Sequence, residues 1–106
     1  MDPSLRWDDA MKLGWVYIMT NKPFGTLYIG VTSDLAARIY QHRTGQGSDF
    51  CKQHKLTRLV YIERHGRIDD AIAREKAMKA WKRNWKLRQI MEKNPEWDEL
   101  FETINA

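Results

Sequence analysis

The sequence predicts a small α+β domain, a three-stranded and mostly antiparallel sheet in the order β-β-α-β-α-α flanked by helices. Three observations carry that prediction. Short runs rich in β-branched and aromatic residues at 14–20, 26–31 and 59–63 read as strands. The first two are joined by a few turn-forming residues, which makes them an antiparallel hairpin. The rest of the chain places apolar residues at helical spacing. At 106 residues the chain has the size of one domain, read as a polar arm over residues 1–13 and a domain over residues 14–106.

The first strand is GWVYIMT and the second TLYIGV, with Asn21-Lys22-Pro23-Phe24-Gly25 as the turn between them. Thr32-Ser33-Asp34 offers capping side chains ahead of Leu35, so a helix is expected from Asp34 to Arg43, ending at Gly45 or Gly47. Residues 44–56 read as an exposed, partly basic loop. LVYIE is the third strand, and His65-Gly66-Arg67 a turn. Asp69 and Asp70 then put negative charge at the start of a long helix reaching about Glu92. Asn94-Pro95 resets the chain as cap and first helical residue, so PEWDELFETI is expected as a short final helix.

Composition narrows the function. Hydrophobic residues make up 42% and charged residues 30%, the balance of a folded globular chain. No apolar run approaches the ~18 residues that cross a bilayer, and MDPSLRWDDAMK lacks the apolar stretch of a secretion signal. Cys51 is the only cysteine, so no internal disulfide forms and a reduced, cytoplasmic protein is expected. The net charge of +4 and a pI near 9.3 favour polyanionic partners, nucleic acid first.

Strand parity puts Trp15, Tyr17 and Met19 on one face and pairs Tyr28 with Gly30 on one face. If Thr20 faces Gly25, Tyr17 stands opposite Tyr28 on the same face, either as a stabilising aromatic pair or as part of a site. Gly30 beside Tyr28 marks a place where a ligand or another backbone comes close. On the first helix Leu35 and Ile39 form the buried stripe, and Arg38 and His42 share a face at its edge. On the long helix Ala71, Met78 and Trp85 make an apolar stripe interrupted by Glu75. A carboxylate on a packing face needs a partner. Either Lys79, one turn on, is an ion-pair partner, or Glu75 holds a hydrated magnesium ion. The same helix carries Arg74, Lys76, Lys79, Lys82, Arg83, Lys86 and Arg88 with Trp81 and Trp85 among them, a pattern suited to phosphate contact and base stacking. Cys51 and His54 have ligand-like spacing without a matching second pair, so no structural zinc site is expected.

Together these residues resemble the GIY-YIG nuclease superfamily, in particular its small single-domain bacterial members. Trp15-Val16-Tyr17 stands where the first half of the signature lies, degenerate at its first two positions, and Tyr28-Ile29-Gly30 is the second half unchanged. YIGVTSDLAARIYQH is similar to the family's YIG-x-T-x-x-L-x-x-R-x-x-x-H pattern, AREKAMKAWKR to the helix bearing its metal-binding Glu, and NPEWDEL to its C-terminal motif. The resemblance implies a DNA endonuclease using one Mg²⁺ or Mn²⁺ held by Glu75, acting as a monomer or weak homodimer with no membrane partner, and with RNA also open as substrate. DNA repair is among the processes such an enzyme serves. It implies Tyr17 or Tyr28 as general base, Arg38 as the charge that lowers the tyrosine pKa from ~10 and stabilises the transition state, and His42 as a hydrogen-bond partner. Arg74, Lys79, Lys82, Arg83 and Lys86 would contact nucleic acid, and Asn94 would be either a site residue or a helix cap. The alternative is a non-catalytic nucleic-acid-binding module built on the basic helix 74–88.

Overall fold

Alternation of β-branched and aromatic residues produces β1 (Gly14–Thr20) and β2 (Leu27–Thr32), and β3 (Arg58–His65) pairs with the free side of β1. The sheet order is therefore β2-β1-β3 with both ladders antiparallel. The computed structural model describes residues 13–104, so the predicted arm lies outside the described residues apart from its last position. Helices follow as α1 (Leu35–Arg43), α2 (Asp49–His54), α3 (Ile68–Ala80), α4 (Arg83–Lys93) and α5 (Phe101–Ile104). The α+β class and the three-stranded antiparallel sheet are as the sequence predicts. Among the described residues no helix is long and apolar enough to cross a membrane.

The sheet is covered on both faces, and parity along β1 sorts its side chains between them. Val16 and Ile18 join Ala71 and Met78 of α3 and Ile90 of α4 in one core. Tyr17 and Met19 join Leu35 and Ile39 of α1 and Cys51 of α2 in the other. β3 carries a bulge: Ile18 pairs with Tyr61 and Met19 with Leu59, leaving Val60 unmatched. Val60 and Tyr61 consequently both turn into the first core.

Four expectations are corrected. The hairpin register is shifted by two residues, with Thr20 opposite Leu27, Tyr17 opposite Gly30 and Met19 opposite Tyr28. The loop is longer than the turn cluster suggests: Thr20 Oγ1 donates to the carbonyls of Lys22 and Thr26, and the Asn21 side chain accepts from the Thr26 amide. A shift of two keeps every side chain on its face, so Tyr17 and Tyr28 still share one, as diagonal neighbours. Residues 44–56 are not all loop, because Ser48 caps α2 by accepting from the Phe50 amide.

The long helix is broken. Trp81 and Lys82 adopt extended backbone between α3 and α4. Arg74 of α3 lies over the Trp81 ring, and Arg83 donates to the carbonyls of Phe24 and Gly25 at 2.7 Å each, so the break is held by one contact along the helix and two to the hairpin loop. Trp85, expected on the buried stripe, is 59% exposed as a result. In the tail, Asn94 ends α4 instead of starting a helix, and only Phe101–Ile104 is helical. The Trp97 indole is buried there by a left-handed turn (φ 56°).

Candidate active site

The site is assembled where α1 crosses the second face of the sheet. Asp34 fixes the start of α1 by accepting from the Ala37 amide. With Leu35 and Ile39 buried, Arg38 and His42 turn toward β1 one helical turn apart. His42 Nε2 lies 2.8 Å from the Tyr17 hydroxyl, and Arg38 Nε donates to the same hydroxyl at 3.3 Å. Since Arg38 is a donor only, the Tyr17 oxygen accepts from it and its proton is free to go to His42. Gln41 orients the guanidinium by accepting from Arg38 Nη1 at 3.2 Å. The Tyr28 ring completes the cluster, with its centroid 6.4 Å from that of Tyr17 and 5.3 Å from that of His42.

Two glycines make room for this packing. A Cβ on Gly30 would stand 2.4 Å from the Tyr17 hydroxyl oxygen, so the hydroxyl end of the ring fits against the opposing strand only because residue 30 is glycine. A Cβ on Gly47 would stand 2.5 Å from His42 Nδ1. The backbone of the α1–α2 connection thus closes over the imidazole. His42 Nδ1 is buried with no hydrogen-bond partner among the described residues.

Burial sets the electrostatics. It raises the Tyr17 pKa above its ordinary value, against the opposing effect of the Arg38 hydrogen bond. Burial, then the Arg38 charge, lowers His42 to about 4, so His42 is a neutral imidazole at neutral pH. For Arg38 burial acts to lower the pKa, but the Tyr17 and Tyr28 hydroxyls outweigh it and the guanidinium stays charged. Among the described residues no carboxylate pairs with Arg38. The centre therefore presents an uncompensated positive charge beside a phenol that has a neutral base behind it.

A groove of about 300 Å³ runs along the β2 edge, lined by Leu27, Tyr28, Ile29, Phe50, Lys79 and Lys86. Sequence reasoning missed Phe50, which stacks on Tyr28 with centroids 6.3 Å apart. The signal was present in Ser48-Asp49, a helix-start pair ahead of an aromatic in an otherwise polar stretch. Gln41 and Gly47 carried no such signal.

Glu75 interrupts the α3 stripe as expected. Its side chain is 11% exposed, and its carboxylate meets Lys79 Nζ at 2.9 Å. Among the described residues no three His, Cys, Asp or Glu side chains converge. A lone carboxylate fits a hard divalent cation that keeps most of its water, which is the chemistry of Mg²⁺ or Mn²⁺. It does not fit zinc, and Cys51 is a buried thiol raised to about 11 chiefly by burial.

The basic residues part company. Arg74 is taken up by Glu63, donating from Nε at 3.0 Å and Nη2 at 3.3 Å, and Arg83 clamps the hairpin loop. Lys79 and Lys86 line the groove, and Lys82 is exposed at the helix break. Asn94 is a clamp: its side chain donates to the carbonyls of Val60 and Asp98 and accepts from the Asp98 amide, each at 3.0 Å. It satisfies the carbonyl that the bulge in β3 frees, which leaves its amide fully engaged.

Comparison with known proteins places the chain in a family. The model of the GIY-YIG catalytic domain matches residues 13–103. The UPF0213 protein of Staphylococcus aureus strain Mu3 is 38% identical over 69 residues, covering 65% of this chain and 84% of its own. The UPF0213 proteins of strains Mu50 and N315 give the same 38% identity over the same share of each chain, 65% and 84%. No solved structure gives a significant match.

Proposed function

Because the chain belongs to the GIY-YIG family, we propose that it is a metal-dependent endonuclease that hydrolyses phosphodiester bonds in DNA, with Tyr17, Tyr28, Arg38, His42 and Glu75 as its catalytic set. The observation that carries this reading is the Tyr17–His42–Arg38 network, a phenol between a neutral imidazole and a guanidinium with no carboxylate partner among the described residues. Mg²⁺ or Mn²⁺ held by Glu75 would polarise the scissile phosphate and stabilise the leaving oxygen. Arg38 is left for the negative charge that develops on phosphorus, a role supported by its having no carboxylate partner among the described residues.

Tyr17 is the better base of the two tyrosines because it has an acceptor behind it. A phenol raised by burial is protonated at rest, so it serves as a relay. The attacking water gives its proton to the Tyr17 oxygen while the Tyr17 proton passes to His42 Nε2. The resulting hydroxide attacks phosphorus, the leaving oxygen takes a proton from solvent, and the imidazolium returns its own to solvent. The arriving phosphate offsets the Arg38 charge that otherwise disfavours a charged His42. Tyr28, half-buried at the groove, orients the phosphate together with Arg38. Lys79, Lys82 and Lys86 grip the flanking backbone.

The test is cleavage of single-stranded, nicked, branched and supercoiled DNA, and of RNA, with Mg²⁺ or Mn²⁺, comparing wild type with folded Glu75→Gln. Metal-dependent cutting that the variant loses is the expected result. Salt-dependent DNA binding by a wild type that cuts nothing would replace this reading with the non-catalytic module.

A further inference from the structure

Glu75 and Lys79 are unequal partners. The carboxylate belongs to the buried stripe of α3, between fully buried Ala71 and Met78, and is held there by the packing of the helix on the sheet. The ammonium belongs to a side chain that is 54% exposed and lines the groove beside Tyr28 and Lys86. One partner is fixed and the other is free to swing on a flexible four-carbon stem. Lys79 is the only ion-pair partner Glu75 has among the described residues, and its Nζ stands 2.9 Å from Oε1. A divalent cation taking that oxygen would meet the ammonium at a few ångströms, and two cations that close repel strongly in a half-buried site.

From this geometry we infer that Lys79 is a displaceable counter-cation. In the free protein it neutralises Glu75. When the metal arrives, Lys79 leaves Oε1 and turns into the groove, where its charge is available to a substrate phosphate. The inference rests on the reading of Glu75 as the metal ligand. It makes metal loading and phosphate grip reciprocal: each step makes the other more favourable, because the same ammonium cannot serve both anions. An ordinary exposed ion pair at this spacing contributes little and would leave metal affinity untouched by its removal.

The experiment is a titration of Mn²⁺ into the full chain without DNA, following free Mn²⁺ by electron paramagnetic resonance, for wild type, Lys79→Met, Glu75→Gln and the double variant. Lys79 is on the surface, so Lys79→Met is expected to fold as wild type does, checked by circular dichroism. The inference predicts that Lys79→Met binds Mn²⁺ about threefold more tightly or better, the scale of a released i,i+4 pair plus relieved repulsion. That gain disappears in the double variant. Cleavage assays on the same proteins separate the two claims. If Glu75→Gln abolishes metal-dependent cutting but Lys79→Met binds Mn²⁺ no better than wild type, the counter-cation role is overturned and the metal reading stands. If Glu75→Gln cuts as wild type does, the metal reading falls and takes the inference with it.

Discussion

The two faces of the sheet carry two polar clusters of similar composition and opposite character. On one face a buried tyrosine, Tyr17, meets His42 and Arg38. On the other a buried tyrosine, Tyr61, meets Glu63, and Glu63 also takes His65 at 2.6 Å and two hydrogen bonds from Arg74. Gln89 donates to the Tyr61 hydroxyl and Lys93 stands over its ring. Burial would raise the Glu63 pKa, but the hydrogen bonds from Tyr61, Arg74 and His65 prevail and lower it. That carboxylate satisfies its neighbours, so the second cluster is electrically closed and serves to tie β3 to α3 and α4. Among the described residues the first has no carboxylate. The difference teaches that similar residue types can be electrically closed or open: among the described residues Arg38 has no carboxylate, which is the property the proposed anion binding needs.

Breaking the open cluster should cost the most. Arg38→Met is expected to lower cleavage by about 10²–10³-fold, the scale of losing one transition-state donor, with little change in melting temperature. Arg74→Met should do the reverse, reducing stability by about 2 kcal/mol after allowance for partial exposure while leaving cleavage per folded molecule near wild type. Kinetics and thermal melts on both variants check the contrast. If Arg74→Met loses as much activity as Arg38→Met, the two clusters do not differ in function.

Packing gives the next effect. Gly30→Ala would drive a methyl into the Tyr17 hydroxyl, and a forced contact of that kind costs about 1–3 kcal/mol. The expected outcome is a destabilised protein whose cleavage falls further than its folded fraction does. A variant as active and as stable as wild type would mean that the ring does not need its place over β2.

The acid response comes third. Because His42 is lowered to about 4 from an ordinary 6.5, the unfolded chain binds the proton first as pH falls. His42 thus contributes stability that is fully present above about 6.5 and is lost as pH falls through the window down to about 4, by roughly 3 kcal/mol in total. Comparing urea unfolding of wild type and His42→Phe across that window isolates the contribution from the carboxylates. A parallel pH dependence in the two proteins would contradict it. The smallest effect is expected at Trp85, which is 59% exposed: Trp85→Ala should change stability by under about 0.5 kcal/mol. If Trp85 stacks on a base, DNA affinity measured by anisotropy falls about tenfold.

The closed and open clusters were not equally legible in the sequence. Tyr17, Arg38 and His42 followed from strand parity and helical spacing, both local rules, and the family pattern named the same positions. Glu63, His65 and Arg74 were not legible as a cluster, because they lie on two elements and meet only through the packing of α3 on β3. That is why the sequence alone presents Arg74 as a phosphate contact, whereas the structure pairs it with Glu63. The break at Trp81 was hidden for the same reason: no proline or glycine marks it, and the Arg83 bonds that accompany it reach a hairpin loop far away in sequence. Asn94 illustrates the limit at one residue. Its residue type and the following proline point to the start of a helix, whereas it ends α4 and its side chain closes the bulge in β3.

The central claim is that the open cluster is the catalytic one, and the removal of one oxygen from each cluster tests it most directly. Single-turnover cleavage of DNA with Mn²⁺ should be compared for wild type, Tyr17→Phe and Tyr61→Phe, all verified as folded. Loss of about 10²–10⁴-fold in Tyr17→Phe, the range for a proton-transfer group, with near wild-type cutting by Tyr61→Phe, is the predicted result. Cleavage by Tyr17→Phe at the wild-type rate would contradict the account.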